Sequence, residues 1–175
     1  MIDRAIAREL GGSRWALPVL AEIAARDGAR FAELVRRLGV MRSTLTRTLA
    51  QMIENGWVMR NPGHGHPLRP EYLLTEQGRT LAMAAATMQQ ACARIDMPPQ
   101  HLPRWSWPLM VELAPAARRF SELEERLAPA TPRALSLTLK QLIGDDLVSR
   151  RVVEDFPPVP LYGLTERGRV LAEAE

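Results

Sequence analysis

With 175 residues, 46% hydrophobic and 25% charged, the chain suits one ordinary domain or two small ones, each able to bury a core. No apolar run approaches the roughly 20 residues that span a bilayer, the start MIDRAIAREL carries acids where a signal core would be apolar, and the single cysteine, Cys92, rules out an intrachain disulfide framework. A membrane protein and a secreted disulfide scaffold are thereby excluded, and the expected location is cytoplasmic. The net charge of +3 is uneven, +4 over residues 1–92 and −1 over 93–175, and all but one of the 23 cations are arginine, whose fork suits phosphate and guanine edges.

In chain order, Trp15, Val19, Leu20 and Ile23 recur at helical spacing and predict a helix over 15–25 that Gly28 ends. A short second helix follows with Phe31, Leu34 and Leu38 inward, then a turn over 39–42. A third helix runs to about Glu54 with Leu45, Leu49, Met52 and Ile53 as its core face, and Asn55-Gly56 stops it. WVMR predicts a short strand, RNPGHGHPLRP (60–70) an irregular tip, and a second short strand ends at Tyr72. Thr75 with Glu76-Gln77 opens a long helical segment over 75–97, whose face of Leu81, Met83, Ala84, Ala85, Met88, Ala91, Cys92 and Ile95 suits close helix packing. Met97-Pro98-Pro99 ends it, and residues 99–103 read as a linker.

The order then repeats. RWALPVLAEI (14–23) aligns with RWSWPLMVEL (104–113), RFAELVRRL (30–38) with RFSELEERL (119–127), LTRTLAQMIENGWVMR (45–60) with LSLTLKQLIGDDLVSR (135–150), and YLLTEQGRTLA (72–82) with YGLTERGRVLA (162–172). The second copy places Leu135, Leu139, Leu142 and Ile143 on the core face of its third helix. There Thr131-Pro132 supplies an N-cap followed by proline at the first helical position, and Gly144-Asp145 the stop. Helix, helix, turn, helix, hairpin, helix is the winged helix-turn-helix order. The expected fold is mainly α with small β-hairpins (α+β), in tandem winged helix-turn-helix domains divided as 1–97 and 98–175.

In such a domain the third helix enters the major groove. Opposite its core face the first copy carries Ser43, Thr44, Arg47 and Gln51, with Arg42 at the entrance. Arginine reads guanine, glutamine reads adenine, and hydroxyls reach bases or phosphates. Arg36 and Arg37 on the second helix are candidates for backbone phosphates, and Arg60 and Arg69 in the wing for phosphates or the minor groove. His64 and His66 have metal-like spacing but no nearby cysteine or acidic partner, so no metal site is assigned. The second copy suits DNA less well. Glu124 and Glu125 replace Val35 and Arg36, Leu137 replaces Arg47, and Glu154 and Asp155 follow Arg150 and Arg151 in the wing. Arg133, Ser136, Lys140, Gln141, Arg150 and Arg151 remain its candidate contacts.

GGSRWALPVL, RFAELVRRL, TLTRTLAQMIENGWVMR and YLLTEQGR resemble the HxlR-type bacterial regulators, a branch near the MarR group, and RRVVEDFPPVPLYGLTERGR in the second copy resembles them in its wing. The resemblance implies double-stranded DNA as partner, repression of nearby operons, no cofactor, and a small-molecule effector as a family-level expectation. Relatives are single-unit dimers, so two fused units imply a covalent pseudo-dimer joined by residues 2–10 and the long helix; a homodimer of whole chains would pair two strong reading heads. The cysteine that many members carry before the Gly-Gly-x-Trp motif is replaced here by Leu10, which removes that route to redox sensing. An effector pocket would be lined by Trp15, Trp57, Trp105 and Trp107, against the plainer reading that they are core. A thiol switch at Cys92 is weighed against simple burial. Among other classes, an enzyme lacks support, having no phosphate-cradling loop, nucleophile elbow or metal set. A tandem winged-helix interaction scaffold, whose wings grip protein, is the alternative to DNA binding.

Overall fold

The computed structural model describes residues 2–63, 70–154 and 158–173. The chain divides into two compact bodies, Trp15–Gln89 and a second made of Met1–Arg14 together with Gln90–Glu175. The packing boundary is thus not the repeat boundary. The first fourteen residues and the last turn of the long helix belong with the second copy.

In the Trp15–Gln89 body, α2 (Ala16–Ala24), α3 (Phe31–Leu38) and α4 (Arg42–Glu54) surround a core that includes Leu20, Ile23, Leu34, Leu45, Leu49 and Met52. β1 (Val58–Arg60) and β2 (Tyr72–Leu74) pair antiparallel in the register Val58↔Leu74, Met59↔Leu73, Arg60↔Tyr72, and Ala29 bridges to Tyr72. Tyr72 therefore opens the second strand where the sequence reading ended it there. Leu73 and Leu74 complete the ladder opposite Met59 and Val58, whereas Pro70 has no N–H to donate. α5 (Glu76–Arg94) follows, its start fixed by Thr75, whose Oγ accepts from Gly78 N at 3.0 Å.

The second body begins with α1 (Arg4–Gly11), capped by Asp3 Oδ1, which accepts from Ala5 N at 2.8 Å and Ile6 N at 3.2 Å. Ala7, Leu10 and Gly11 are buried, and α1 packs on α6 (Ser106–Leu113), every residue of which is buried. The small face of Gly11 lets α1 approach closely: a Cβ there would meet the Pro108 ring at 2.7 Å. α7 (Phe120–Arg126), α8 (Pro132–Gly144) and α9 (Glu166–Ala172) complete the helices. β3 (Arg118–Arg119), β4 (Val148–Val153) and β5 (Val159–Leu164) form a sheet in the order β3-β5-β4, with Tyr162 inside β5 and not at its end.

Four helices end in the same way. The amide of Gly28 reaches Ile23 O (2.9 Å), that of Trp57 Met52 O (2.9 Å), that of Met97 Cys92 O (3.0 Å) and that of Leu147 Leu142 O (2.8 Å). Each bond spans five residues and needs a left-handed residue just before its donor, supplied by Asp27, Gly56, Asp96 and Asp146 with φ of 52°, 74°, 52° and 55°. At the end of α8 the left-handed residue is thus Asp146, one beyond the expected Gly144-Asp145. α5 stops at Arg94, ahead of Met97-Pro98-Pro99. The expected linker is packed: Met97 and Leu102 are buried, residues Pro99–His101 form a 3-10 turn, and His101 Nε2 meets Asp145 Oδ2 at 3.1 Å.

One core assignment is corrected in both copies. Ile53 and Ile143 are 38% and 37% exposed, while Thr48 and Thr138 are buried. The buried stripe is Leu45, Thr48, Leu49 and Met52, at i, i+3, i+4 and i+7, which leaves position i+8 past its edge. Thr138 Oγ satisfies itself on Ala134 O at 2.9 Å, which is how a hydroxyl is tolerated inside.

Candidate nucleic-acid interface

α4 turns Arg42, Ser43, Arg47 and Gln51 to solvent, while Thr44 is half-buried. The shifted stripe adds Thr46 and Ala50 to the outward face, and both are exposed. Thr46 is not among the residues singled out from the sequence, yet the internal alignment pairs it with the candidate Ser136. Thr46 Oγ donates to Arg42 O at 2.9 Å. Gln51 Nε2 is held by Glu54 Oε2 at 3.2 Å and Asn55 Oδ1 at 3.0 Å, which fixes the amide's orientation.

Two of the arginines around this face lie over aromatic rings. The Arg42 guanidinium lies 5.2 Å from the centre of the Phe31 ring, and that of Arg60 5.9 Å from the Tyr72 ring. Such stacking leaves the N–H fork free to bond outward. Arg36 is exposed on α3, whereas Arg37 is drawn toward the base of α2, its Nε 3.4 Å from Glu22 Oε1. Arg69, His64 and His66 lie outside the described residues, as does Asp155.

The second copy presents different chemistry on the same frame. On α8, Arg133, Ser136 and Lys140 are exposed, and Leu137 is 58% exposed at the position of Arg47. Gln141 is half-buried and donates through Nε2 to His101 O at 2.9 Å, so its amide is engaged within the body. Glu124 and Glu125 stand exposed on α7. Arg150 and Arg151 are exposed on β4, followed there by exposed Val152 and Val153.

Trp57 and Trp107 are buried core residues, Trp15 and Trp105 are half-buried at the starts of α2 and α6, and a groove of the Trp15–Gln89 body between α2, the hairpin and α5 has no tryptophan in its wall. Cys92 is fully buried, and burial pushes its thiol up to about 12 from an ordinary 9.0. At neutral pH it is a packed thiol with a negligible thiolate fraction.

Comparison with known proteins follows the same two-copy layout. The model of the HxlR-like helix-turn-helix family matches residues 10–98 and again residues 102–174. An uncharacterized HTH-type transcriptional regulator of Mycobacterium tuberculosis is 43% identical over 84 residues, covering 48% of this chain and 52% of that protein. The HTH-type transcriptional regulator YdeP of Bacillus subtilis is 35% identical over 68 residues, covering 39% of this chain and 53% of YdeP. The chain thus spans about half the length of the curated relatives it matches. Among solved structures, a MarR-family transcriptional regulator of Enterococcus faecalis is 27% identical with a TM-score of 0.39, covering 57% of this chain and 78% of that one.

Proposed function

The chain belongs to the HxlR-like helix-turn-helix family, and on that premise we propose that it is a sequence-specific DNA-binding transcriptional regulator whose first copy supplies most of the DNA contacts. The observation that carries this reading is the outward face of α4. Arg42, Ser43, Thr46, Arg47 and Gln51 are exposed together on one helix, with Arg36 exposed on α3 and Arg60 in the hairpin. Arg47 and Gln51 are the base readers, Ser43 and Thr46 accompany them, and Arg36 and Arg60 hold phosphates. Arg69, outside the described residues, is kept as a phosphate contact on its sequence position alone, and Arg37 buttresses α3 through Glu22. On the second copy Arg133, Ser136, Lys140, Arg150 and Arg151 serve as secondary contacts, and the acids beside them limit its share.

The two repeats work as a covalent pair. Supporting this, α1 precedes the first copy in sequence yet packs on α6 of the second, an exchange of a terminal helix of the kind paired subunits use. The proposed sign of regulation is repression, with the protein occupying a site near its own promoter. Domain boundaries near residue 97 describe the repeat; the compact bodies describe the packing.

The test is fluorescence anisotropy on duplexes tiled across the upstream region, against random duplex, at several salt concentrations. Site-selective binding that weakens steeply with salt and is lost in Arg47→Ala supports the reading. Weak binding, equal on every duplex and indifferent to Arg47→Ala, overturns it in favour of a protein-binding scaffold.

A further inference from the structure

The duplication left the same groove in both copies, and the two have diverged in size and charge. Each lies between the end of the first helix of the winged domain (α2 or α6), the hairpin, and the helix that follows the hairpin (α5 or α9). Arg79 and Arg169, which are repeat partners, line the two grooves, as do Leu74 and Leu164. In the first copy the groove has a volume of about 1000 Å³, in the second about 250 Å³. Pockets that hold drug-sized ligands measure roughly 300–1,000 Å³, so of the two grooves only the first falls in that range.

The linings differ in kind as well. The first groove has a floor of small residues, with Ala24, Ala25, Ala82 and Ala86 leaving a broad slot between α2 and α5. Met59, on β1 and 42% exposed, and Met83, on α5 and 74% exposed, form soft, polarisable walls that adapt to flat apolar groups. Its charged residues are Asp27, Glu76 and Arg79. Arg79 Nη1 is turned back onto Leu74 O at 3.2 Å, and neither carboxylate has an ion-pair partner among the described residues. In the second groove Ser149 stands for Met59, Gly163 for Leu73 and an alanine for Asp27, and the charged residues are Arg151 and Arg169. One groove is wide, apolar and acidic; the other is small and cationic.

We propose that the groove of the first copy is a binding site for a lipophilic organic cation, a flat apolar ring system bearing a positive charge, with Asp27 and Glu76 facing the charge and Met59 and Met83 packing on the rings. Asp27 is the stronger determinant: it sits on the left-handed turn that ends α2, where its position is fixed by the backbone. Glu76 also serves the first turn of α5 and contributes field more than specificity. The site has a mechanical link to DNA binding. Met59, Leu73 and Leu74 belong to the hairpin that carries Arg60, so a ligand wedged between α2, the hairpin and α5 shifts the wing relative to α4. That consequence rests on the DNA-binding reading above; the binding site itself does not.

The experiment titrates rhodamine 6G into the full chain without DNA, following dye anisotropy, with the anionic dye 1-anilinonaphthalene-8-sulfonate as the opposite charge. Saturable one-site binding of rhodamine 6G is expected. Asp27→Asn, which keeps a residue tolerant of the left-handed turn, should weaken it by roughly fivefold or more. Ala86→Trp, on an exposed position of the groove, should abolish it, while Ala114→Trp in the second groove should leave it unchanged. Far-UV circular dichroism checks that each variant is folded, and Ala24→Phe replaces Ala86→Trp if that one is not. The proposal is overturned by absence of saturable binding, by binding indifferent to both Asp27→Asn and the groove-filling variant, or by preference for the anionic dye with loss in Arg79→Gln. Because DNA is absent, failure here leaves the regulator reading standing, and failure of DNA binding leaves the groove's dye affinity intact.

Discussion

α4 and α8 are built to one plan and finished differently. Both bury the same four-position stripe with a threonine in it, both end in a five-residue-spanning bond with a left-handed residue before the donor, and both hand over to a hairpin. Outside that frame they part: Arg47 faces solvent on one and Leu137 on the other, and exposed Gln51 donates to its helix neighbours Glu54 and Asn55 where half-buried Gln141 donates to His101 O. The divergence is confined to positions that the core does not constrain. That is the pattern expected when one copy keeps a binding task and the other is held chiefly by its fold.

If the frames are equivalent, damage to shared structural features must cost the same in each. The Cα of Gly78 faces Trp57 O, and that of Gly168 faces Leu147 O, so closely that an added Cβ would overlap a backbone oxygen in either copy. Gly78→Ala and Gly168→Ala should each destabilise by about 3 kcal/mol or more, because a carbonyl in a strand–helix junction cannot move aside as a side chain can. Urea unfolding monitored by far-UV circular dichroism checks this, and a large difference between the two would break the equivalence.

A second comparison predicts inequality. Glu22 and Glu112 are repeat partners, as are Arg37 and Arg126, and each pair is joined, Arg37 Nε to Glu22 Oε1 at 3.4 Å and Arg126 Nη1 to Glu112 Oε2 at 3.6 Å. Glu22 is partly exposed and shared with Arg26, whereas Glu112 is 3% exposed and also takes Arg4 Nε at 3.4 Å. Stripping both arginines from Glu112 should cost about 3 kcal/mol, since it leaves a buried charge unpaired. Stripping Arg26 and Arg37 from Glu22 should cost under about 1 kcal/mol. The same denaturation measurement reads both.

Restoring charge sharpens the contrast from the other side. Leu137→Arg rebuilds the outward cation on α8 and removes an exposed apolar side chain. It should raise DNA affinity by a few fold through one added phosphate contact and steepen the salt dependence by about one unit of slope, read by anisotropy at several salt concentrations. The smallest effect concerns Cys92. With its pKa raised to about 12 from 9.0, the native thiol should stay silent toward Ellman's reagent at pH 8 and react on unfolding. The sign for stability follows: the folded state holds its proton where the unfolded state loses it, so this contribution is complete below pH 9.0 and is lost as pH rises toward about 12.

The repeat, the element order and most of the solvent-facing side of α4 were legible in the sequence, because helical spacing, Pro/Gly punctuation and residue type all agreed. What was not legible has physical reasons. Ile53 and Ile143 resemble core by apolar identity but fall out of phase with the stripe, which takes Thr48 and Thr138 at i+3 instead, Thr138 with its hydroxyl bonded to Ala134 O. The partner of α1 is a tertiary choice that no local pattern encodes. The groove between α2, the hairpin and α5 is floored by alanines, whose message is the space they leave, and no sequence pattern marks such a space. The engagement of Gln141 required knowing that residues 98–103 pack down and do not swing free.

The most direct test is charge reversal on α4 and α8 in one experiment. Arg47→Glu and Lys140→Glu would be compared with the unmodified chain on its own upstream duplex, by anisotropy at fixed salt. The predicted result is a loss of tenfold or more for Arg47→Glu, at about 1–3 kcal/mol per base-reading contact, beside a loss of no more than a few fold for Lys140→Glu. Equal losses in the two variants would contradict the unequal use of the two copies.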